Sequence, residues 1–288
     1  VYGISLPPQN SNSLFCLSQL EKNLFSNEFI DICKFKDLKN SIEKIKPDVV
    51  FHMAAQPLVI ESYKDPLKTW LINVQGSINL LEALKSNNRI CSVVMVTTDK
   101  VYENKNWDFS YRENDRLGGH DPYSASKAAA EIAIASWRSS FCGDLNHQTK
   151  FLDIATARSG NVIGGGDWAK DRIIPDIVRS LSNGNEIEIR SPFSRRPWQH
   201  VIEPLAGYLL LAENIYKYSI QNKSNNSYKI NNYATSYNFG PYLESNKTVL
   251  ELVEVILKTW PGHYKITSNK SDLYESKKLN LQIEKAKL

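Results

Sequence analysis

Two side chains suited to proton transfer, Tyr123 and Lys127, lie four residues apart in a segment with helical apolar spacing. Residues four apart on a helix share one face, so the ammonium can balance the charge of the phenol while the phenol exchanges a proton with a substrate hydroxyl. Thr98, at the end of a neighbouring strand-like run, can supply a second hydroxyl there. This arrangement suits hydride transfer to or from an alcohol. A buried structural tyrosine with a surface lysine is the alternative.

The segments around these residues predict an α/β fold. Strands that alternate with helices are typical of parallel crossovers and of a doubly wound parallel sheet. Apolar and β-branched runs predict strands at residues 1–5, 47–53, 92–97 and 151–157. Apolar residues at helical spacing predict helices at residues 69–84 and 123–141, and later at 172–181, 203–221 and 248–260.

Small or polar residues follow three of the predicted strands. Ligands of a parallel sheet bind beyond the carboxyl ends of its strands. Ala54-Ala55, Thr98-Asp99 and the stretch 158–161 all fall at such ends. We therefore expect them to line one crevice.

Composition argues against several classes of protein. The net charge of +4 in 288 residues is spread along the chain, and short basic groups such as Lys277-Lys278 indicate a solvated face, with no nucleic-acid partner. No apolar run approaches the roughly 20 residues of a membrane-spanning helix, and no signal peptide opens the sequence, so we expect a cytoplasmic chain without membrane contact. The four cysteines form no CxxC pair, which predicts neither a metal site nor a disulfide framework.

Five motifs carry a resemblance to a known family. They are HMAAQP at 52–57, TTDKVY at 97–102, DPYSASK at 121–127, GNVIGGGDW at 160–168 and RPWQHV at 196–201. With these motifs in this order, the chain resembles the extended short-chain dehydrogenases/reductases that act on nucleotide sugars. In particular, it resembles the CDP-glucose 4,6-dehydratases.

The resemblance implies a Rossmann-type NAD-binding domain over residues 1–162 and a smaller, mixed α/β, mainly substrate-binding lobe over 163–288. One departure is large, since the glycine-rich dinucleotide turn after the first strand is missing. The family places that turn before Val1, so we expect an N-terminally incomplete sheet. Gly164-Gly165-Gly166 follows a later strand and lacks the spacing of that turn.

The implied reaction oxidises the sugar at C4 with NAD, eliminates water across C5–C6 and returns hydride to C6. The resemblance makes Tyr123 the C4 base, supported by Thr98 and Lys127, and makes Asp99 the acid for the departing hydroxyl. Lys100 is assigned to C5 chemistry, because the related dTDP-glucose enzymes carry glutamate there. A capping role for Asp99 and a solvated Lys100 are the alternatives.

The family's binding residues carry over onto matching positions. The implied NAD-binding residues are Asp31, Ile32, Ala54, Ala55, Asn73, Thr97, Tyr123 and Lys127. The implied substrate-binding residues are Thr98, Asn161, Arg172, Arg196 and His200. Two of these assignments have plain alternatives, since an acidic-apolar pair such as Asp31-Ile32 is common in loops and Arg195-Arg196 can be a solvated basic turn.

The resemblance also implies a homodimer or dimer of dimers, formed partly through the helix at residues 123–141, and a place in deoxysugar biosynthesis such as that of lipopolysaccharide O-antigen. Burial of this helix inside the monomer is the alternative to an interface. The rival functions are another nucleotide-sugar dehydratase or epimerase, against which Lys100 and GNVIGGGDW argue, and a non-catalytic nucleotide-sugar-binding fragment.

Overall fold

The computed structural model describes residues 1–86, 89–142, 152–224, 230–267 and 278–288. Phe151, at which one predicted strand begins, and Lys277 lie outside the described residues. The strands are β1 Tyr2–Ser5, β2 Ser26–Phe29, β3 Val49–His52, β4 Cys91–Val96, β5 Leu152–Ser159, β6 Val162–Ile163, β7 Ile187–Ile189, β8 Arg195–Pro197, β9 Gln199–His200, β10 Ser236–Phe239, β11 Asn246–Thr248 and β12 Tyr264–Ile266. The α-helices are α1 Leu14–Leu17, α2 Phe35–Ile45, α3 Val59–Lys64, α4 Pro66–Trp70, α5 Gly76–Leu84, α6 Pro122–Phe141, α7 Ile173–Ser182, α8 Ile202–Ser224, α9 Val249–Thr259 and α10 Glu284–Lys287.

A parallel four-stranded sheet of order β10-β5-β4-β3 forms the centre of the fold. β1 and β2 pair in parallel as a separate two-stranded sheet. In the central strands, β4 and β5, nearly every residue is buried, because helices cover both faces of the sheet. This is the parallel α/β architecture that the alternating pattern predicts.

The two faces of β4 face different helices because successive side chains of a strand point to opposite sides. Val93 and Met95 belong to a core cluster that also holds residues of α2 and α5. Val94 packs instead in a cluster with residues of α8, including Leu211 and Ile215. The sheet is thereby sandwiched, and its carboxyl edge remains available for a ligand.

The C-terminal part contributes to the central sheet as well as to a smaller unit. β10 pairs with β5, and α8 packs against β4 and β5. The smaller unit has its own core, in which residues of α7, β7 and α9 pack together. The division into domains near residue 162 stays a prediction, with α8 and β10 crossing back to the first part.

The predicted helix of residues 69–84 is interrupted. Between α4 and α5 lies a π-helical turn, Leu71–Gln75, which contains the buried Asn73. Such turns are frequent at functional positions. Within the part of the chain that the structure describes, no helix combines the length and apolar character that crossing a bilayer requires.

Candidate active site

The first turn of α6 is fixed by its cap. Asp121 accepts hydrogen bonds from the Ser124 backbone N–H at 2.9 Å and the Ser124 hydroxyl at 2.6 Å, and Pro122 occupies the first helical position. A cap of this kind stabilises a helix by about 1 kcal/mol. Gly119 lies against the same turn, where an added Cβ would stand 2.2 Å from the Ala125 nitrogen. The sequence therefore holds the start of α6, and with it Tyr123, in one place.

Thr98 links the end of β4 to α6. Its hydroxyl is hydrogen-bonded with that of Tyr123, donates to Asp99 Oδ1 at 3.1 Å and accepts from the Lys100 backbone N–H at 3.3 Å. The last of these bonds caps the 3₁₀ turn Asp99–Val101. The structure thus brings four of the five predicted catalytic residues to one point, with Lys127 one helical turn behind Tyr123.

Asp99 carries an unsatisfied oxygen. The residue is 2% exposed, and its Oδ2 has no hydrogen-bond partner among the described residues. Gly160 leaves room beside that oxygen, since a Cβ there would lie 3.0 Å from it. Burial raises the pKa of Asp99, while Lys100, the bond from Thr98 and Arg196 oppose the rise. Thr98 caps this turn, and the Asp99 carboxyl also has a hydrogen bond with the Lys100 backbone, so one oxygen of Asp99 serves the turn. The other oxygen, Oδ2, is suited to a ligand hydroxyl.

The electrostatics of Tyr123 differ from the sequence-based expectation. Burial raises the pKa of Tyr123 to about 12, against the bond from Thr98, and the charge of Asp99 adds to the rise. Burial also lowers the pKa of Lys127 to about 8, although the charge of Glu131 opposes this. We expected Lys127 to lower the tyrosine pKa. Lys127 is not among the charges that shift the pKa of Tyr123, and desolvation of the phenol dominates.

A cavity of about 380 Å³ opens in front of Tyr123. Its floor is the carboxyl edge of the sheet, and its upper wall comes from the smaller unit. Cavities of this size accept small organic ligands. The lining includes residues 57–60 on one wall, Thr98, Asp99, Lys100 and Tyr123 on the floor, and Asn161, Asp171, Arg172, Arg190, Arg196 and Trp198 on the other side.

The arginines of the cavity occupy different environments. Arg172 pairs with Asp167 at 2.8 Å, and Arg190 pairs with Asp171 at 3.2 Å. Arg196 is only 6% exposed, so the solvated-turn alternative fails for it. Its charge acts on Asp99 and lowers the pKa of that carboxyl group.

The sequence analysis did not mark Arg190, and it predicted His200 for a cavity whose described lining lacks that residue. Arg190, which no motif marks, lines the cavity through β7 and the residues that follow it. His200, predicted to bind substrate, is exposed at the end of β9, where its Nδ1 accepts from the Ile202 N–H at 3.3 Å. The described lining of the cavity does not include His200.

Asn73 braces the elements behind the cavity. Its side chain accepts from the Gln56 N–H at 2.8 Å and donates to the Gln56 carbonyl at 3.1 Å and to Ser126 Oγ at 2.9 Å. The loop after β3 is thereby tied to the π-helical turn and to α6. The resemblance implies NAD binding for Asn73, and in the structure its side chain braces the loop and helices behind the strand ends.

The other predicted cofactor residues lie at strand ends. Ala54 and Ala55, half-buried, follow β3, and Asp31 accepts from the Cys33 N–H at 2.9 Å in a turn after β2. Ile32 is packed in the core against Gly76, where a Cβ would lie 2.5 Å from its Cδ1. At these positions Asp31, Ala54 and Ala55 can contact NAD, whereas the Ile32 side chain is buried in the core.

His52 has a structural environment. It is buried in β3, and its Nε2 lies 3.1 Å from Ser77 Oγ. Burial, and secondarily the charge of Lys127, lower the pKa of His52 to about 3. A neutral, hydrogen-bonded core histidine accounts for this position.

The residues around Tyr123 fit the dinucleotide that the resemblance implies. An ammonium has three donors, and Lys127 directs one to the Val96 carbonyl at 3.2 Å. Its remaining donor capacity suits ribose hydroxyls, and the small side chains of Ala54 and Ala55 suit close approach of a cofactor.

Known proteins share these features. A model of the family described as NAD dependent epimerase/dehydratase family matches residues 8–224. A CDP-glucose 4,6-dehydratase from Salmonella typhimurium is 44% identical over 260 residues, which are 90% of this chain and 69% of that protein.

Two solved structures have the same fold. A dTDP-glucose 4,6-dehydratase from Streptomyces venezuelae, crystallised with NAD, matches 94% of this chain and 75% of its own, with a TM-score of 0.74 and 21% identity. A UDP-glucuronic acid 4-epimerase from Bacillus cereus, in complex with UDP-glucuronic acid and NAD, matches 99% and 83%, with a TM-score of 0.77 and 20% identity. The predicted Rossmann-type fold is confirmed.

Proposed function

This chain belongs to the NAD-dependent epimerase/dehydratase family, and on that premise we propose that it is a CDP-glucose 4,6-dehydratase. As a hydro-lyase it converts CDP-glucose to CDP-4-keto-6-deoxyglucose and water. The observation that carries this proposal is the 44% identity to the Salmonella enzyme over 90% of the chain. The catalytic motifs of that activity meet at the cavity floor, which is independent support.

A second candidate is another nucleotide-sugar dehydratase or epimerase of the same family. The fold is shared with a dTDP-glucose dehydratase and with a UDP-sugar epimerase, so the architecture favours none of the three nucleotides. Lys100 favours the CDP-glucose enzyme, because the related dTDP-glucose dehydratases carry glutamate at this position. The third candidate is a non-catalytic nucleotide-sugar-binding fragment. Turnover of any nucleotide sugar contradicts it, and binding without turnover supports it.

Tyr123, Thr98 and Asp99 divide the proton transfers. Tyr123, as the phenolate, takes the proton of the sugar C4 hydroxyl and becomes the phenol, and Thr98, which is hydrogen-bonded to it, orients that hydroxyl. Bound NAD would supply the hydride chemistry at C4 and C6, and its positive charge beside Tyr123 would favour the phenolate.

The elimination requires an acid that protonates the departing C6 hydroxyl and a base that removes the C5 proton. Asp99, whose pKa is raised by burial, is suited to carry the proton that the departing C6 hydroxyl needs. Lys100, next to it and lining the cavity, is the group that removes the C5 proton or stabilises the enolate. Asn161 and the arginines of the cavity hold the diphosphate and sugar, with guanidinium groups matching phosphate oxygens.

The cofactor site is assigned on the same basis. We place NAD against the strand ends of the first part, roughly residues 1–162, with Lys127, Ala54, Ala55 and Asp31 in contact and Asn73 bracing them from behind. Thr97 lies under the same edge. The smaller lobe, mainly residues 163–288, covers the substrate.

We also propose a homodimer, or a dimer of dimers, formed through the helices around α6. Leu67 is 84% exposed, Leu71 49% and Ile132 60%, and the helices that carry them are in contact. Such an apolar surface favours a protein partner. Sedimentation velocity of the full chain is expected to show a dimer or tetramer, and a single monomeric species at micromolar concentration contradicts this proposal.

The cell compartment and pathway are part of the proposal. None of the four cysteines forms a disulfide, which is typical of a reducing compartment and supports a cytoplasmic enzyme. Its product, a 4-keto-6-deoxy sugar, serves deoxysugar biosynthesis, including that of O-antigen.

Replacing Tyr123 with Phe tests the proposed function. The wild-type chain with NAD is expected to remove water from CDP-glucose at least about tenfold faster than from dTDP- or UDP-glucose, as measured by mass spectrometry. Tyr123→Phe is expected to lower kcat by about 10²- to 10⁴-fold, because it removes the hydroxyl that transfers the proton. Its thermal unfolding should stay close to wild type.

Tyr242→Phe is the matched control, since Tyr242 is 66% exposed and outside the cavity lining. Near-normal turnover by Tyr123→Phe removes this residue from the mechanism. Equal turnover of the three nucleotide sugars, or faster turnover of another, supports the second candidate.

Replacing Lys100 with Met separates C5 chemistry from C4 oxidation. The variant is expected to slow exchange of the C5 proton with solvent by about 10²-fold or more, while C4 oxidation changes far less. NMR follows the exchange, and absorbance of the reduced cofactor follows the oxidation. Lys217→Met, on the exposed face of α8, is the control. Equal losses in both steps indicate that Lys100 only positions the substrate.

A further inference from the structure

Glu131 continues the face of α6 that carries Tyr123 and Lys127. The three residues stand at successive four-residue steps, so one face of the helix bears a phenol, an ammonium and a carboxylate. Glu131 is 2% exposed, and neither the family motifs nor the reaction steps assign it a role. A carboxylate this deeply buried must have partners.

The Glu131 carboxylate uses both of its oxygens. Oε1 accepts from the Thr97 hydroxyl at 2.5 Å. Oε2 accepts from the Thr156 hydroxyl at 3.0 Å and from Arg158 Nη2 at 2.7 Å. Glu131 thereby joins α6 to the ends of both β4 and β5.

Lys127 holds the same strand end one turn earlier. Its ammonium donates to the carbonyl of Val96, the residue that precedes Thr97 and Thr98 in the chain. Two neighbouring turns of α6 therefore hold the last residue of β4, Val96, and the residue after it, Thr97. The next residue is Thr98, which is hydrogen-bonded with Tyr123. Only Thr97, which is bonded to Glu131, lies between the contact with Glu131 and Thr98, so moving Glu131 also moves Thr98.

We propose that Glu131 is a positioning residue for the catalytic pair, one that holds Thr97 beside Thr98 and supplies the counter-charge for the buried Lys127 ammonium. Its carboxylate acts through Lys127 and Thr97 and makes no contact of its own with the reacting atoms. The catalytic part of this inference rests on the proposed function. The electrostatic part rests on the four-residue spacing of Lys127 and Glu131 on α6 and on the charge of Glu131, which raises the pKa of Lys127.

The charged groups around Lys127 are few. Glu131 and Tyr123 flank it on α6, and His52 faces it from β3, with a pKa lowered to about 3 by burial and secondarily by Lys127 itself. His52 is thus neutral near pH 7. Arg158, on β5, faces Glu131. Burial lowers the pKa of Lys127 to about 8 and Glu131 opposes the fall, so removal of Glu131 moves the loss of the ammonium to lower pH.

Neutralising Arg158 is the alternative role for Glu131. Arg158 is itself buried, and it donates to the Tyr102 hydroxyl at 2.9 Å as well as to Glu131. If Glu131 served only this arginine, removing both charges together would restore the wild-type behaviour of Lys127. If Glu131 serves Lys127, the pKa of Lys127 stays lowered in the double variant.

Four variants distinguish the two roles. Glu131→Gln keeps the shape and removes the charge, but it leaves Arg158 unpaired and can prevent folding. Glu131→Gln with Arg158→Met removes that unpaired charge, and Glu131→Asp keeps the ion-pair charge. Asp153→Asn is the control, since Asp153 is 3% exposed and lies at the opposite end of β5, bonded to Asn231 at 3.1 Å.

The first readout does not depend on activity. Titration of ¹³Cε-labelled lysine by NMR, with Lys127 assigned from Lys127→Met, gives the midpoint of its ionisation. We expect the double variant, and Glu131→Gln where it folds, to lower that midpoint by about one pH unit, which is a tenfold change in the ratio of ammonium to neutral amine. Glu131→Asp should lie near wild type, and Asp153→Asn should leave the midpoint unchanged.

The second readout is the pH profile of kcat with CDP-glucose and NAD. The alkaline fall of kcat should move to lower pH together with the NMR midpoint, and kcat at pH 8 should drop by about fivefold with little change in KM. Absence of turnover in the wild type overturns the proposed function and leaves the NMR result standing. A wild-type midpoint in the double variant overturns the role of Glu131.

Discussion

Burial of three ionisable groups on one face of α6 is the constraint on which the site depends. Helix geometry aligns Tyr123, Lys127 and Glu131, and the sheet beneath them excludes water. Buried charges are stable only when they are paired, and breaking such a pair costs about 3–5 kcal/mol. The Glu131–Arg158 ion pair at 2.7 Å meets that requirement, and it fixes α6 against the strand ends that form the cavity floor.

The same network extends from α6 to the turn that bears Asp99 and Lys100. Arg158 donates to the hydroxyl of Tyr102, which follows the turn bearing Asp99 and Lys100, and Tyr102 donates to Asn238 of β10 at 2.6 Å. The catalytic turn, α6 and three parallel strands therefore share one buried polar system. These hydrogen bonds connect the elements that carry Thr98, Asp99 and Tyr123.

The local part of this arrangement was predictable from the sequence, because helix spacing and strand ends are encoded within a few residues. Thr98, Asp99, Lys100 and Tyr123 line one cavity, and Lys127 lies one turn behind Tyr123 on α6. Contacts between distant segments were not predictable in this way. The Glu131–Arg158 pair spans 27 residues, and β10 joins the central sheet from beyond the predicted domain division. The burial of Arg196, the exposure of His200 and the raised pKa of Tyr123 likewise depend on tertiary packing.

The central claim is that these buried groups remove water from a nucleotide sugar through proton exchange at C5. Mass spectrometry of CDP-glucose after incubation with this chain and NAD in deuterated water tests it most directly. We expect a product that has lost one water and gained one deuterium, because the C5 proton is given up to the protein and replaced from solvent. A product that has lost water without deuterium contradicts the C5 exchange. Unchanged CDP-glucose, with another nucleotide sugar converted, contradicts the assignment of the substrate.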